Sequence, residues 1–121
     1  MHRRITEHHL TPQPDAPGGL RITSAAFIPS SDGSGISVNL GDTMADQGIS
    51  PETVMGLPPP GVGLAFVAAE QVRSEELEPR REPLADDPSH GAIVGDLSSG
   101  GRRRRLARLA QRQWVIPLDV G

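Results

Sequence analysis

The residue with the clearest chemical potential is His90, because it stands where a loop leads into an apolar segment. The sequence at 88–92 is Pro-Ser-His-Gly-Ala, and side chains at such loop-to-strand junctions can face a cleft at the end of a sheet. A neutral imidazole there can act as a general base toward a serine hydroxyl. Ser24 and Ser37, on segments with strand character, are the candidate partners. The alternative is a structural His90 that hydrogen-bonds the backbone.

No established catalytic motif accompanies this histidine. The chain has no Gly-x-Ser-x-Gly nucleophile turn, no Gly-x-x-x-x-Gly-Lys phosphate loop and no Gly-x-Gly-x-x-Gly dinucleotide turn. It also has no cysteine, which excludes disulfides, thiolate zinc sites and a cysteine nucleophile. His2, His8 and His9 do not have metal-ligand spacing, because adjacent histidines on a regular element point in different directions. We therefore expect no cofactor and no metal, and lean toward a protein that is not an enzyme.

The second chemical feature is a run of arginines near the C-terminus, at positions 102–105, 108 and 112. Positive charges in the first turn of a helix oppose the helix macrodipole, at roughly 0.3 to 1 kcal/mol each before screening. An anion across from them would make this placement more favourable. The candidates for binding a partner or a phosphate are Arg102, Arg105, Arg108 and Arg112. The opposing interpretation is that at least two of these four approach acids of residues 41–101.

The distribution of charge favours that internal compensation. Residues 1–40 are neutral, residues 41–101 carry a net charge of −8 and residues 102–121 carry +5, within a total of −3. A basic helix near the acidic middle of the chain would reduce the self-repulsion of both. The arginines have no interleaved aromatic residues, and the total charge is negative, unlike that of a typical nucleic-acid-binding domain. Nucleic acid is therefore an unfavoured partner.

Hydrophobic patterning predicts the strands that would position His90 and the serines. Residues 20–29 and 36–40 alternate apolar and polar side chains on either side of a turn, which favours an antiparallel hairpin. The uninterrupted apolar segments 62–68 and 91–95 are expected to be neighbouring core strands, with 62–68 at the centre of the sheet. Residues 102–113 have the apolar spacing of a helix that packs on one face.

We therefore predict an α+β fold. It has a small sheet of about four to five strands, one principal C-terminal helix packed on that sheet, and long Pro- and Gly-rich loops. Residues 11–19 contain three prolines and two glycines, so we expect residues 1–19 to be an N-terminal arm and loop, and residues 20–121 to be a single small domain. No stretch has the length and apolarity of a signal peptide or membrane span, which predicts a cytoplasmic protein without a membrane partner.

The order of these features also carries a resemblance. An arginine near the start, Ser-Ala-Ala-Phe at 24–27, Ile-Ser-Val at 36–38, the segment Pro-Ser-His-Gly-Ala-Ile-Val-Gly at 88–95 and a basic Leu- and Ala-rich helix stand in sequence. This order resembles short uncharacterised proteins of high-GC bacteria, over most of the chain from Arg3 to Trp114. The resemblance implies a bacterial source, and no activity is attached to it.

Together these observations favour a non-enzymatic interaction or accessory module of a bacterial cytoplasmic system. Its partner would be another protein, such as the product of a neighbouring gene. Two alternatives stay open: a small hydrolase or transferase that uses His90 with a serine hydroxyl, and an RNA or phosphate binder that uses the arginine helix. The lining of the largest cleft discriminates between them.

Overall fold

The computed structural model describes residues 1–33 and 35–118. The strands are β1 (His2–Ile5), β2 (Leu10–Pro12), β3 (Leu20–Ile22), β4 (Ile36–Asn39), β5 (Gly63–Phe66), β6 (Glu78–Arg81), β7 (His90–Val94) and β8 (Trp114–Ile116). The α-helices are α1 (Gly41–Gln47), α2 (Pro51–Met55), α3 (Ala69–Ser74) and α4 (Gly100–Gln111). Short 3-10 helices occupy Glu7–His9, Pro17–Gly19 and Ser24–Phe27.

Within these described residues, six strands form one antiparallel sheet in the order β6-β7-β4-β1-β5-β8, and β2 pairs with β3 in a separate ribbon. A mixed fold of helices and sheet is thus confirmed, with more strands than the four to five predicted. The described ranges contain four α-helices rather than one principal helix, although α4 is the longest at 12 residues. None of the helices in this part of the chain is long and apolar enough to cross a membrane.

Patterning did not predict β1, β2 or β6, and the two of these that belong to the six-stranded sheet, β1 and β6, are rich in charge. Their sequences are His-Arg-Arg-Ile and Glu-Pro-Arg-Arg, so neither shows the apolar alternation on which strand prediction depends. β1 pairs at four positions with β5 and at one with β4, so residues 2–5 lie inside the sheet rather than in an N-terminal arm. β6 lies at the sheet edge, where charge and proline are tolerated because one side of the strand needs no partner.

The predicted adjacency of the two apolar segments is wrong. β5 and β7 are separated by β4 and β1, and β5 lies next to the edge strand β8 instead of at the centre. The physical reason is the insertion of β1. Its backbone forms the hydrogen bonds of a strand, although its side-chain pattern does not indicate a strand.

The predicted hairpin of residues 20–29 with residues 36–40 is also wrong. β3 pairs with β2, and β4 pairs with β7. The chain turns after β3 because Thr23 caps a 3-10 helix, its hydroxyl accepting from the Ala25 N–H at 3.2 Å. This turn places Phe27 in the core, where its side chain is fully buried.

Both faces of the sheet are covered. On one face, Phe27 and Leu106 of α4 pack with Ile5 and Ile36 in the main core. On the other face, Met44 of α1 and Val54 of α2 pack against Leu64. Leu64 and its neighbour Ala65 belong to the two different clusters, as strand alternation requires.

Candidate functional site

The candidate site is a concave cleft of about 760 Å³ bordered by β1, β4 and β7. We call it the polar cleft, and its lining includes Arg3, Arg4, Ser37, Asp87 and His90. Because β1 pairs with β4 at one position and with β5 at four, β1 diverges from β4 along its length. The 3-10 helix Glu7–His9 and the loop at residues 57–60 complete the walls.

His90 and Ser37 meet at the wall of this cleft. In the β4–β7 pair, Ser37 lies opposite Ala92 and Asn39 lies opposite His90, so Ser37 and His90 are diagonal neighbours on the same face of the sheet. The Nε2 atom of His90 lies 3.4 Å from Oγ of Ser37. The structure therefore brings these two predicted site residues within hydrogen-bond distance.

The second ring nitrogen of His90 determines which way that hydrogen bond runs. Nδ1 of His90 lies 2.8 Å from the backbone carbonyl of Glu82, and a carbonyl can only accept, so Nδ1 carries the proton. In the neutral imidazole Nε2 is then the acceptor, and the Ser37 hydroxyl donates to it. This is the tautomer in which a histidine can remove a proton from a serine.

Glu82, at the start of the loop before β7, forms two hydrogen bonds with His90, one to its backbone and one to its ring. The Glu82 N–H donates to the His90 carbonyl at 3.1 Å, while the imidazole Nδ1–H donates back to the Glu82 carbonyl. Gly91 permits this close approach of β6, because a Cβ at that position would lie 2.7 Å from the Arg80 carbonyl oxygen. The orientation of the His90 ring thus depends on backbone atoms.

Arg3 is hydrogen-bonded to the backbone of Ser37. Its Nε donates to the Ala26 carbonyl at 2.9 Å and its Nη1 to the Ser37 carbonyl at 3.1 Å. Burial, and to a smaller extent the charge of Arg4, lowers the pKa of Arg3 to about 10, so the guanidinium stays cationic at neutral pH. Arg3 therefore ties the strand that carries Ser37 to the 3-10 helix of Ser24–Phe27.

Arg4 holds the opposite wall of the cleft. Its Nη1 donates to the carbonyls of Leu57 and, at 3.4 Å, of Pro59. Burial lowers the pKa of Arg4 from its ordinary value, while the charge of Asp87 acts in the other direction. The proline-rich loop is thereby fixed to β1 by a charge-assisted contact.

His9 adds a neutral imidazole to the cleft. Its Nδ1 accepts from the Thr6 N–H at 3.1 Å, so the ring proton is on Nε2. Burial first, and then the charges of Arg3 and His8, lower the pKa of His9 to about 4. At neutral pH this side chain is therefore an uncharged hydrogen-bond donor through Nε2.

A buried polar network behind His90 was not predicted from the sequence. The Asn39 amide donates to Asp87 Oδ1 at 2.8 Å and to Ser89 Oγ at 2.9 Å, and all three residues are buried. The His90 N–H donates to the Asp87 carbonyl at 3.1 Å, so the network sets the turn that presents His90. In the sequence, the only indication of this network is the polar residue Asn39 within the alternating segment 36–40.

Ser24 is not part of this cleft. It begins the 3-10 helix of Ser24–Phe27 and lines a second concavity, between that helix and α4. The structure brings Ser37 to His90 and leaves Ser24 away from it.

The arginines of α4 also lie outside the cleft and divide into two sets. Arg102 forms ion pairs with Glu76 at 3.2 Å and Asp96 at 3.9 Å, and Arg105 pairs with Glu75 at 2.6 Å. Two of the four predicted arginines thus approach acids of residues 41–101, as expected. The other two, Arg108 and Arg112, line the second concavity with Ser24.

Within the described residues, no three His, Asp or Glu side chains are grouped in a way that would hold a metal ion. Comparison with protein-family models, with curated protein sequences and with solved structures found no match to this chain.

Proposed function

We propose that this protein is an interaction module, an accessory component of a bacterial cytoplasmic system, and that it docks its partner in the polar cleft. The observation that carries the proposal is the fixed wall of the cleft. Arg3, Arg4 and His90 are each anchored to backbone carbonyls, so binding would lose little side-chain entropy. A preformed concave surface with a few oriented polar groups is typical of recognition sites.

The rim of the cleft contributes an apolar contact. Leu84 is 49% exposed and lines the cleft. A large exposed side chain at the rim can add apolar contact area to the oriented polar groups of the cleft. A partner that inserts a polar side chain beside Ser37 and His90 would cover Leu84 at the same time.

The test is co-expression with the products of the neighbouring genes, followed by measurement of the affinity of any complex by calorimetry. Leu84→Ser and His90→Ala should each weaken the complex by about tenfold or more, the range of a buried interface residue. Ile28→Ser is the matched control, because Ile28 is 56% exposed and does not line the cleft. A complex that tolerates both cleft variants, or the lack of a complex with any of these products, contradicts the proposal.

A second candidate function is favoured by the Ser37–His90 contact. In a hydrolase or transferase, His90 Nε2 would take the proton of the Ser37 hydroxyl as Oγ attacks an acyl or phosphoryl group, and would return it to the leaving group. Arg3 and Arg4 line the same cleft, and their positive charge would stabilise the oxyanion that develops. The imidazole tautomer required for this step is the one that the Glu82 carbonyl imposes.

A fluorophosphonate probe with peptide mapping tests this second function. Labelling is expected at Ser37, to disappear in Ser37→Ala and to slow by about 100-fold or more in His90→Gln, because general-base assistance is worth about that much. Ser24→Ala is the matched control, since that serine lies outside the cleft, and it should label like the wild type. Labelling that is absent, or that persists in Ser37→Ala, contradicts a nucleophilic serine here.

A further inference from the structure

A second concavity, between β3 and α4, has a different character from the polar cleft. It is a groove of about 440 Å³ whose lining includes Arg21, Ser24, Arg104, Arg108, Gln111 and Arg112. We call it the arginine groove. Arg104, Arg108 and Arg112 follow one another at intervals of four residues, so they form a stripe along one face of the helix, and Arg21 belongs to the opposite wall on β3.

These four guanidinium groups have no anionic neighbour in the part of the chain that the structure describes. Every ion pair found there involves other arginines: Arg73, Arg81, Arg102 and Arg105. The described lining of the groove also contains no carboxylate. Four like charges around one small volume repel one another, and an anion bound among them would relieve that repulsion.

A fifth donor lies in the same groove. Gln111 accepts the Ile22 N–H through Oε1 at 2.8 Å, which fixes the orientation of its amide group. Its Nε2 is buried and has no hydrogen-bond partner among the described residues. A buried donor without an acceptor is costly. Gln111 belongs to the lining of the groove, so a bound anion that reaches its amide would satisfy this donor.

We propose that the arginine groove is a binding site for a polyphosphate anion, a ligand with two or more linked phosphoryl groups. The eight-residue separation of Arg104 and Arg112 corresponds to about 12 Å along the helix axis, which is better matched by linked phosphates than by one phosphate. Guanidinium groups bind phosphate oxygens in bidentate geometry. These donors contact only the phosphoryl groups of the ligand. The site therefore selects a ligand by its charge and by the length of its phosphate chain.

Two observations favour a compact polyphosphate over RNA. The arginines stand on both walls of one short groove, whereas a nucleic-acid backbone needs an extended track of positive charge. In addition, no aromatic side chain lines the groove within the described residues, and single-stranded RNA binding relies on base stacking against aromatic rings.

The test is calorimetric titration of the full chain with tripolyphosphate at low salt, with the unfolding midpoint as a second readout. The double variant R104Q/R108Q should weaken binding by about tenfold or more, because two charge-assisted contacts are lost. The matched control is R102Q/R105Q, which removes the same charge from the paired face of the same helix. It should change affinity by less than about threefold, because long-range contributions are screened.

Four outcomes decide the question. Binding lost in R104Q/R108Q and retained in R102Q/R105Q supports the groove as the site. Equal losses in the two double variants would overturn it, because they would indicate a general electrostatic attraction. Absence of tripolyphosphate binding at low salt would also overturn it. The fourth outcome is a single-stranded RNA that binds more tightly than tripolyphosphate and loses that binding in R104Q/R108Q. This result would overturn the proposal of a compact polyphosphate in favour of a nucleic acid.

Discussion

Arginines line both the polar cleft and the arginine groove, but their hydrogen-bond partners differ. In the polar cleft, Arg3 and Arg4 donate to backbone carbonyls, so their side chains are part of the frame of the fold. In the arginine groove, Arg104 and Arg108 have no anionic partner among the described residues, and their donors are available to a ligand. The same residue type is thus a structural brace in one place and a candidate ligand-binding group in the other.

The difference follows from backbone geometry. Where β1 diverges from β4, the Ser37 carbonyl accepts from the Arg3 guanidinium. In α4 the interior backbone groups are bonded within the helix, so Arg102 and Arg103 find their backbone acceptors in the segment before the helix, at the carbonyls of Asp96 and Leu97. The arginines farther along the helix meet the side chains of the neighbouring surface. On the α3 side that surface offers Glu75 and Glu76, and on the β3 side it offers another arginine.

The largest expected effect comes from removing the brace. Arg3→Met should lower the free energy of unfolding by about 2 to 4 kcal/mol, because it leaves the carbonyls of Ala26 and Ser37 without their donor in a half-buried position. The matched change Arg108→Met, on an exposed side chain, should alter it by no more than about 0.5 kcal/mol. Urea unfolding of the two variants measures the contrast. Similar values for both would remove the structural distinction between the cleft and the groove.

A smaller effect is the pH dependence of stability that His9 contributes in the polar cleft. The pKa of His9 is lowered from 6.5 to about 4 in the fold, so at about pH 7.5 and above the imidazole is neutral in both the folded and unfolded states. As the pH falls toward 4, the unfolded chain binds a proton that the folded chain does not, and stability decreases. The loss is complete once the pH is below the folded pKa.

The variant His9→Asn isolates this contribution. Between about pH 7.5 and 5, we expect it to lose about 1 kcal/mol less stability than the wild type, a value reduced for partial solvent screening. Asn at position 9 has an amide oxygen that can accept from the Thr6 N–H in place of Nδ1. Urea midpoints of both proteins at the two pH values provide the measurement, and parallel pH profiles would show that His9 titrates normally.

The parts of the fold that patterning predicted are those with local signals. The alternation of Ile36 and Val38 with polar residues predicts β4, and both side chains are buried in the structure. The apolar spacing of residues 102–113 likewise predicts the position of α4. β1 was not predicted, because one apolar residue in four gives no period, and its place depends on pairing with β5, about sixty residues away in the chain. A strand that is held mainly by backbone pairing with distant segments is therefore difficult to predict from its own residues.

The candidate sites were predictable to a similar degree. His90 and Ser37 were singled out by residue type and by their place at a loop and a strand, but their contact depends on the register of β4 with β7, which neither segment encodes alone. Charge arithmetic anticipated the ion pairs of Arg102 and Arg105. It did not separate them from Arg108 and Arg112, because the position of α3 beside one face of α4 is a tertiary property.

The smallest expected effect lies on α4 itself, where the paired and unpaired faces can be compared at constant charge. Arg105→Gln removes the ion pair with Glu75, whose N–O distance is 2.6 Å, and should lower the free energy of unfolding by no more than about 1 kcal/mol, because Arg105 is half exposed. Arg108→Gln removes a cation that faces other cations, so its stability should be unchanged or slightly higher. Unfolding at low salt and at about 1 M salt separates the two causes, since screening should reduce both differences. A loss of stability in Arg108→Gln as large as that in Arg105→Gln would mean that Arg108 also has an anionic partner, and the groove would then belong with the paired face.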